Sequence, residues 1–338
     1  PEFQMPPTGK LPDLLIDYLR RWVEMGAPDP RETAFDARAM ATTDSWATTL
    51  ERRKTWWSYQ PVRRVVPPAV DAPWSENPVD AYVWKGWTEA GIEPSQTADP
   101  YTLFRRLSII LTGLPPTTEE IDAFVVAWEI DQQKAMQTAA DRLLASPRFG
   151  ERWARHWMDW MRYAETHGSE GDARIPHAWR YRDYLIRAFN ADVPYDDLIR
   201  EHLAGDLLPE PRINETLEIV ESALGISQYR FVLHGFAPTD ALDELVRFTN
   251  DQIDTVSKAF LATTVSCARC HNHKFDPISQ KDFYALYGIM ASSRPATIIV
   301  DTPQKLNRNK EALASKKVII RNSLAKVWLK DLDGIEKS

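Results

Sequence analysis

The residues with the most chemistry in their spacing are Cys267-Ala268-Arg269-Cys270-His271, followed at once by Asn272-His273-Lys274-Phe275-Asp276-Pro277-Ile278. Two cysteines three apart with a histidine directly after the second is the spacing of haem c attachment. One helical turn sets both thiols against the porphyrin vinyl groups and leaves the imidazole facing the iron. The chain has 2 cysteines in all, and a bare CxxC also suits a local disulfide or half of a zinc site. His271 separates these readings, because a disulfide has no use for it. The expectation is that Cys267 and Cys270 hold haem c by thioethers in a shared cavity, with His271 as proximal iron ligand. His273 lies on the same side and is left to a propionate or a turn. The rival is a non-haem metal or structural module built on Cys267, Cys270, His271 and His273. Direct adjacency of Cys270 and His271 makes tetrahedral ligation by all four awkward.

The second axial position decides what such an iron does. Phe149, Trp153, His156, Trp157, Trp160 and Ala164 recur three and four apart, which predicts a helix with His156 among indoles on its buried face. A histidine there is either a satisfied core residue or the distal ligand. His156 is the first choice for the iron and His167 the second, ahead of Met158, Met161, His177, His202 and His234. Six-coordinate iron with two protein ligands would shuttle single electrons. Five-coordinate iron would react with peroxide or another small ligand, and Arg152, four residues before His156, gives that peroxidase-like alternative its one local hint.

The motif and its surroundings resemble a known family. Cys267 to Ile278, Gln280-Lys281-Asp282-Phe283-Tyr284-Ala285-Leu286, Leu114-Pro115-Pro116-Thr117, Ala145 to Trp157 and Ala178 to Tyr184 are similar to the signature of the planctomycete c-type-cytochrome-like domains, over about residues 75 to 300. The resemblance implies a covalent haem and leaves the reaction open. It also implies a setting in which an electron-accepting module is attached to a dehydrogenase. A Met5-Pro6-Pro7 loop before an amphipathic helix with Leu15, Tyr18, Leu19 and Trp22 resembles the end of a small class I cytochrome c. Met5 is then either an orphaned axial ligand or a loop methionine.

The elements that must position these residues read as helices. Asn77-Pro78 and Asp99-Pro100 each pair an N-cap residue with proline at the first helical position, and Thr117-Thr118-Glu119-Glu120 has capping-box form. Helices are expected over 78–91, 100–112, 118–129, 131–145, 147–165, from 177, 194–205, 239–264, after Ser279, and 304–329. A short strand at 225–227 and 231–233 is the most β-structure expected, so the fold class is mainly α. The division expected is a cytochrome-like remnant at 1–30, a linker packed on the main domain at 31–74, the helical domain at 75–300, and a helix at 301–338 leading to a further domain.

Composition sets the outer limits. The 338 residues are 43% hydrophobic, and 41 basic against 48 acidic residues give a net charge of -7, which argues against nucleic acid as a general partner. The segment from Asp301 reverses this, with nine basic and five acidic residues, and reads as a solvated helix face. No apolar run approaches the roughly 20 residues that span a bilayer, and no leader opens the chain. Haem c is attached outside the bacterial inner membrane, so the expectation is a periplasmic or otherwise extracytoplasmic piece of a larger oxidoreductase. Its partner is a redox protein or an attached domain.

Overall fold

Capping residues set the start of most helices. In the computed structural model, which describes residues 11–26, 45–70, 77–168, 171–233, 240–293 and 296–335, the chain divides into two compact units, Pro1–Gln60 and Pro61–Ser338. Met5 and His234 lie outside the described residues.

In the first unit, helices α1 (Asp13–Glu24) and α2 (Trp46–Lys54) bury no residue. Trp56 and Trp57 are 62% and 77% exposed.

The second unit begins with α3 (Pro78–Ala90), α4 (Pro100–Thr112), α5 (Thr118–Ile130) and α6 (Gln132–Leu144). Asn77 and Asp99 accept hydrogen bonds from the backbone at Val79 and Thr102, with proline in the first turn of each helix. Thr117 and Glu120 close the expected capping box. Phe104 of α4 and Phe124 of α5 stack at 4.7 Å over Ala135, Ala139 and Leu143 of α6. The alternation of capped starts and apolar stripes thus produces a small three-helix core.

The main core lies between α7 (Pro147–Trp160), α8 (Trp179–Asn190), α9 (Tyr195–Ala204) and a 3-10 stretch at Ser222–Arg230. Its paired strands are β1 (Ile213–Asn214) and β2 (Ile219–Val220), in antiparallel register. The short strand expected at 225–233 is therefore misplaced: most of that segment is 3-10 helix, and the hairpin precedes it. Helix α10 (Ala241–Leu261) follows, then α11 (Gln280–Ala291), α12 (Pro303–Asn307) and α13 (Lys310–Ile335). The mainly helical class holds.

Helix α7 corrects the expected stripe. Its inward residues are Gly150, Ala154 and Trp157, with Met161 just beyond. Gly150 pins this phase, because a Cβ there would lie 2.3 Å from the Ile186 carbonyl of α8. His156 lies one residue round the helix from Trp157, about 100° away, and is exposed. Trp160 is 55% exposed. The helix also stops at Trp160, short of residue 165.

Candidate functional site

Helix α10 delivers the chain to the motif through Ala262, whose φ of 51° is left-handed. That conformation is one glycine adopts more readily, and it turns the chain sharply out of the helix. A 3-10 stretch, Val265–Arg269, follows. Val265 and Ala268 point inward and pack with Ile253 of α10 and Phe283 of α11. With those two positions buried, Cys267 and Cys270 face outward; both are exposed free thiols. Both thiols are exposed where a shared cavity was expected.

Helix α11 holds the turn from one side. The Gln280 amide donates to the Arg269 carbonyl at 3.0 Å, the Gln280 backbone N–H to Asn272 Oδ1 at 2.9 Å, and the Tyr284 hydroxyl to the Arg269 carbonyl at 3.3 Å. Ser279 and Asp282 form the capping box that starts this helix. From the other side, Ser266 Oγ donates to Asp254 Oδ1 of α10 at 2.5 Å. The backbone carrying both thiols is thereby tied to two helices.

The two histidines of the motif have opposite environments. His271 is exposed, and its Nδ1 lies 2.7 Å from the Asn272 carbonyl oxygen. A carbonyl only accepts, so Nδ1 carries the hydrogen and Nε2 presents its lone pair. Metal-ligating histidines are oriented in this way, by a carbonyl bonded to the second ring nitrogen. His273 is 4% exposed. Its Nδ1 accepts the backbone N–H of Asp276 at 2.8 Å and that of Phe275 at 3.3 Å. Amides only donate, so Nε2 carries the hydrogen and gives it to Thr264 Oγ1 at 2.9 Å. The Asp276 carboxylate, 3.2 Å from the same Nδ1, is a charged neighbour with no hydrogen between them. Both nitrogens of His273 are used in closing the loop.

The other sequence candidates scatter. His156 makes an edge contact with Trp153 at 5.5 Å, and as an exposed residue it lacks the indole-lined burial that recommended it. Arg152 lays its side chain on Gly113, where an added Cβ would meet Cδ at 3.1 Å. Its Nε is buried without a hydrogen-bond partner. His167 is buried in the loop after α7, His177 is exposed with φ 62°, and Met161 is in the core.

The most deeply buried of the described histidines is His202, a minor candidate in the sequence. Its Nδ1 donates to the Leu198 carbonyl at 2.7 Å, and its Nε2 accepts from Trp157 Nε1 at 2.9 Å and the Tyr181 hydroxyl at 2.7 Å. Burial lowers its pKa to about 4, against the smaller upward pulls of the Leu198 carbonyl and Glu201. Unfolded, the same imidazole takes up a proton near its ordinary value of 6.5. The stability it contributes is therefore complete above about pH 6.5 and drains away as pH falls toward 4. We expect a loss of about 2 kcal/mol between pH 7 and pH 5 from this group. Denaturant midpoints across that range would check it, with His202→Gln flattening the slope; equal slopes in the two proteins would exclude His202 as the source.

Next to His202 lies a network the sequence did not reveal. Glu201 accepts from Tyr184 Oη at 2.5 Å, Ser222 Oγ at 2.7 Å, and Arg212 Nε and Nη2 at 3.1 and 2.9 Å. Glu221 takes both Nε and Nη2 of Arg187, at 2.5 and 2.9 Å. Burial pushes the Glu201 carboxyl up, but the bonds from Arg212, Tyr184 and Ser222 outweigh it and hold it below the ordinary value. These groups satisfy one another, and they read as the polar core that joins α8, α9 and the 3-10 stretch.

Fold and motif together define a mainly helical protein carrying an outward-facing CxxCH turn. Residues 78–295 match the model of a family described as a protein of unknown function, DUF1549 or PSCyt2. The match spans more than half of the chain, and the chain belongs to this family. No curated protein and no solved structure matches it. Among the described residues no helix is long and apolar enough to cross a membrane.

Proposed function

We propose that the CxxCH turn carries haem c covalently and that the chain is an electron-transfer domain of a larger extracytoplasmic oxidoreductase. The observation that supports the reading is the exposed turn itself: with His271 Nδ1 2.7 Å from the Asn272 carbonyl oxygen, Nε2 is left for a metal on the same turn that carries two exposed thiols. Cys267 and Cys270 would form the thioethers and His271 would be the axial ligand, while Gln280, Tyr284 and His273 hold the turn that bears them. When bound, haem would supply a one-electron couple, exchanged with a redox protein or an attached domain. A zinc site drawing on His273 is less favoured, since that imidazole would have to surrender Thr264 or both backbone donors.

The test is the protein produced with haem-attachment machinery in an extracytoplasmic compartment. We expect a Soret band, a pyridine haemochrome, and haem that stays with the chain on a denaturing gel. Cys267→Ser with Cys270→Ser should remove all of the covalent haem. Undiminished haem staining in the double variant, or no haem in the unaltered protein, sinks the proposal.

A further inference from the structure

The loop that follows the CxxCH turn holds a large apolar side chain out in solvent. Its base is closed by the His273 backbone N–H, which donates to the Ile278 carbonyl at 2.9 Å. Its interior is held by His273 Nδ1, which accepts the backbone N–H groups of Phe275 and Asp276. Phe275, between the two closing residues, is 72% exposed. Lys274 Nζ lies over its ring, 5.2 Å from the centroid, and the ring meets buried His273 edge-on at 6.4 Å. One exposed phenylalanine is ordinary on a protein surface. This one is carried by backbone that a buried histidine already fixes, so a ligand that packs on it costs the loop little further freedom.

We propose that Phe275 and Lys274 belong to the haem site, the Phe275 ring packing against the porphyrin and the Lys274 ammonium pairing with a propionate carboxylate. This role rests on the haem reading above and adds contacts beyond the thioethers and the axial imidazole. Continuity with the motif selects the occupant. Phe275 is four residues from His271, a span of at most about 14 Å, so a macrocycle tethered at Cys267 and Cys270 and ligated by His271 is the apolar surface brought to this place. Charge selects it as well. Haem joins an apolar plane to propionate carboxylates, and the loop joins an apolar ring to an ammonium. His273, the first choice for a propionate on its spacing, has both ring nitrogens engaged within the loop. Lys274 is the cation next to it in the chain.

The test uses the full chain with its phenylalanines isotope-labelled and its covalent haem confirmed on a denaturing gel. Resonances of Phe275 and Phe283 are assigned from the variants Phe275→Leu and Phe283→Leu. Phe283 packs on the inner side of the same turn, against Val265 and Ala268. Between the Cys267→Ser, Cys270→Ser chain and the haem-loaded chain, the Phe275 ring signal should shift or broaden more than that of Phe283. Phe275→Ala should leave the melting temperature of the haem-free chain unchanged, because the ring is exposed there, and lower that of the loaded chain; an equal loss in both would make the ring merely structural. Lys274→Gln should lower the haem reduction potential, since a cation beside the propionate favours the less positive ferrous state, and Lys274→Arg should keep it. A haem-loaded chain in which the Phe275 signal stays in place overturns this inference and leaves the haem reading standing. An unaltered protein that takes up no haem overturns both. A potential unmoved by Lys274→Gln removes Lys274 from the site.

Discussion

Glu201→Ala should destabilise the protein by about 3 to 5 kcal/mol, the range for removing one member of a buried ion pair. Glu201 is 2% exposed and accepts from Tyr184, Ser222 and Arg212 at once. Truncation leaves the Arg212 guanidinium without its counter-charge and the buried Tyr184 and Ser222 hydroxyls without an acceptor, each hydroxyl costing about 1 to 3 kcal/mol by itself. These penalties overlap and do not simply add, because the freed groups share one cavity that water can partly fill. Glu201→Gln separates charge from shape, since the amide keeps an acceptor for one hydroxyl but cannot pair with Arg212. We expect it to fall between the unaltered protein and Glu201→Ala in denaturant midpoint. A loss below about 1 kcal/mol for the alanine variant, the size of an exposed pair, would show that this network does not bind α8, α9 and the 3-10 stretch together.

What the sequence made legible divides along physical lines. Helix starts were readable where a local device sets them. Asn77-Pro78, Asp99-Pro100, Thr117 with Glu120, and Ser279 with Asp282 all cap as expected, because a cap involves residues only two or three apart. The phase of a helix was harder to read. In α7 the indoles at 153, 157 and 160 suggested one stripe, yet the inward line is 150, 154, 157 and 161. The decisive contact is the approach of Gly150 to the α8 backbone, a distant pairing that periodicity does not encode. Helix α10 shows the same limit: Leu242 and Leu245 are exposed, while Glu244, Thr249 and Gln252 are buried beside Ile253.

The polar core escaped for a related reason. Glu201 and Arg212, or Arg187 and Glu221, are ordinary surface residue types whose burial depends on partners 11 and 34 positions away. The only local hint was His202 beside Glu201 on an amphipathic helix, a pattern common on exposed helices too. The motif lay at the other extreme. Its residues are contiguous, and their types were informative at once. The sequence could not tell that Val265 and Ala268 turn inward and Cys267 and Cys270 outward, since that requires the packing of Ile253 and Phe283.

His271→Ala and His273→Ala should fail in opposite ways, although the residues are two apart. His271 is exposed and its one described bond is local, so its removal should leave the melting temperature of the haem-free chain unchanged within error. Under the proposed function it should abolish the axial ligation: any haem retained would show a shifted Soret band and lose the low-spin signature. His273 is buried, and alanine there would strand the Phe275 and Asp276 amides together with the Thr264 hydroxyl. Thr264 and Phe275 are exposed and can turn to water, so the loss is about 1 to 3 kcal/mol, the range for one unsatisfied buried group. His273→Asn offers an oxygen near the place of Nδ1 and should recover part of that loss. The loop is what aims the thiols, so His273→Ala should also slow covalent haem incorporation without changing the spectrum of the protein that does acquire it. The assignment of roles rests on this contrast. A stable His273→Ala protein with an altered spectrum, or a destabilised His271→Ala protein with an unaltered one, would exchange the ligand and the structural histidine.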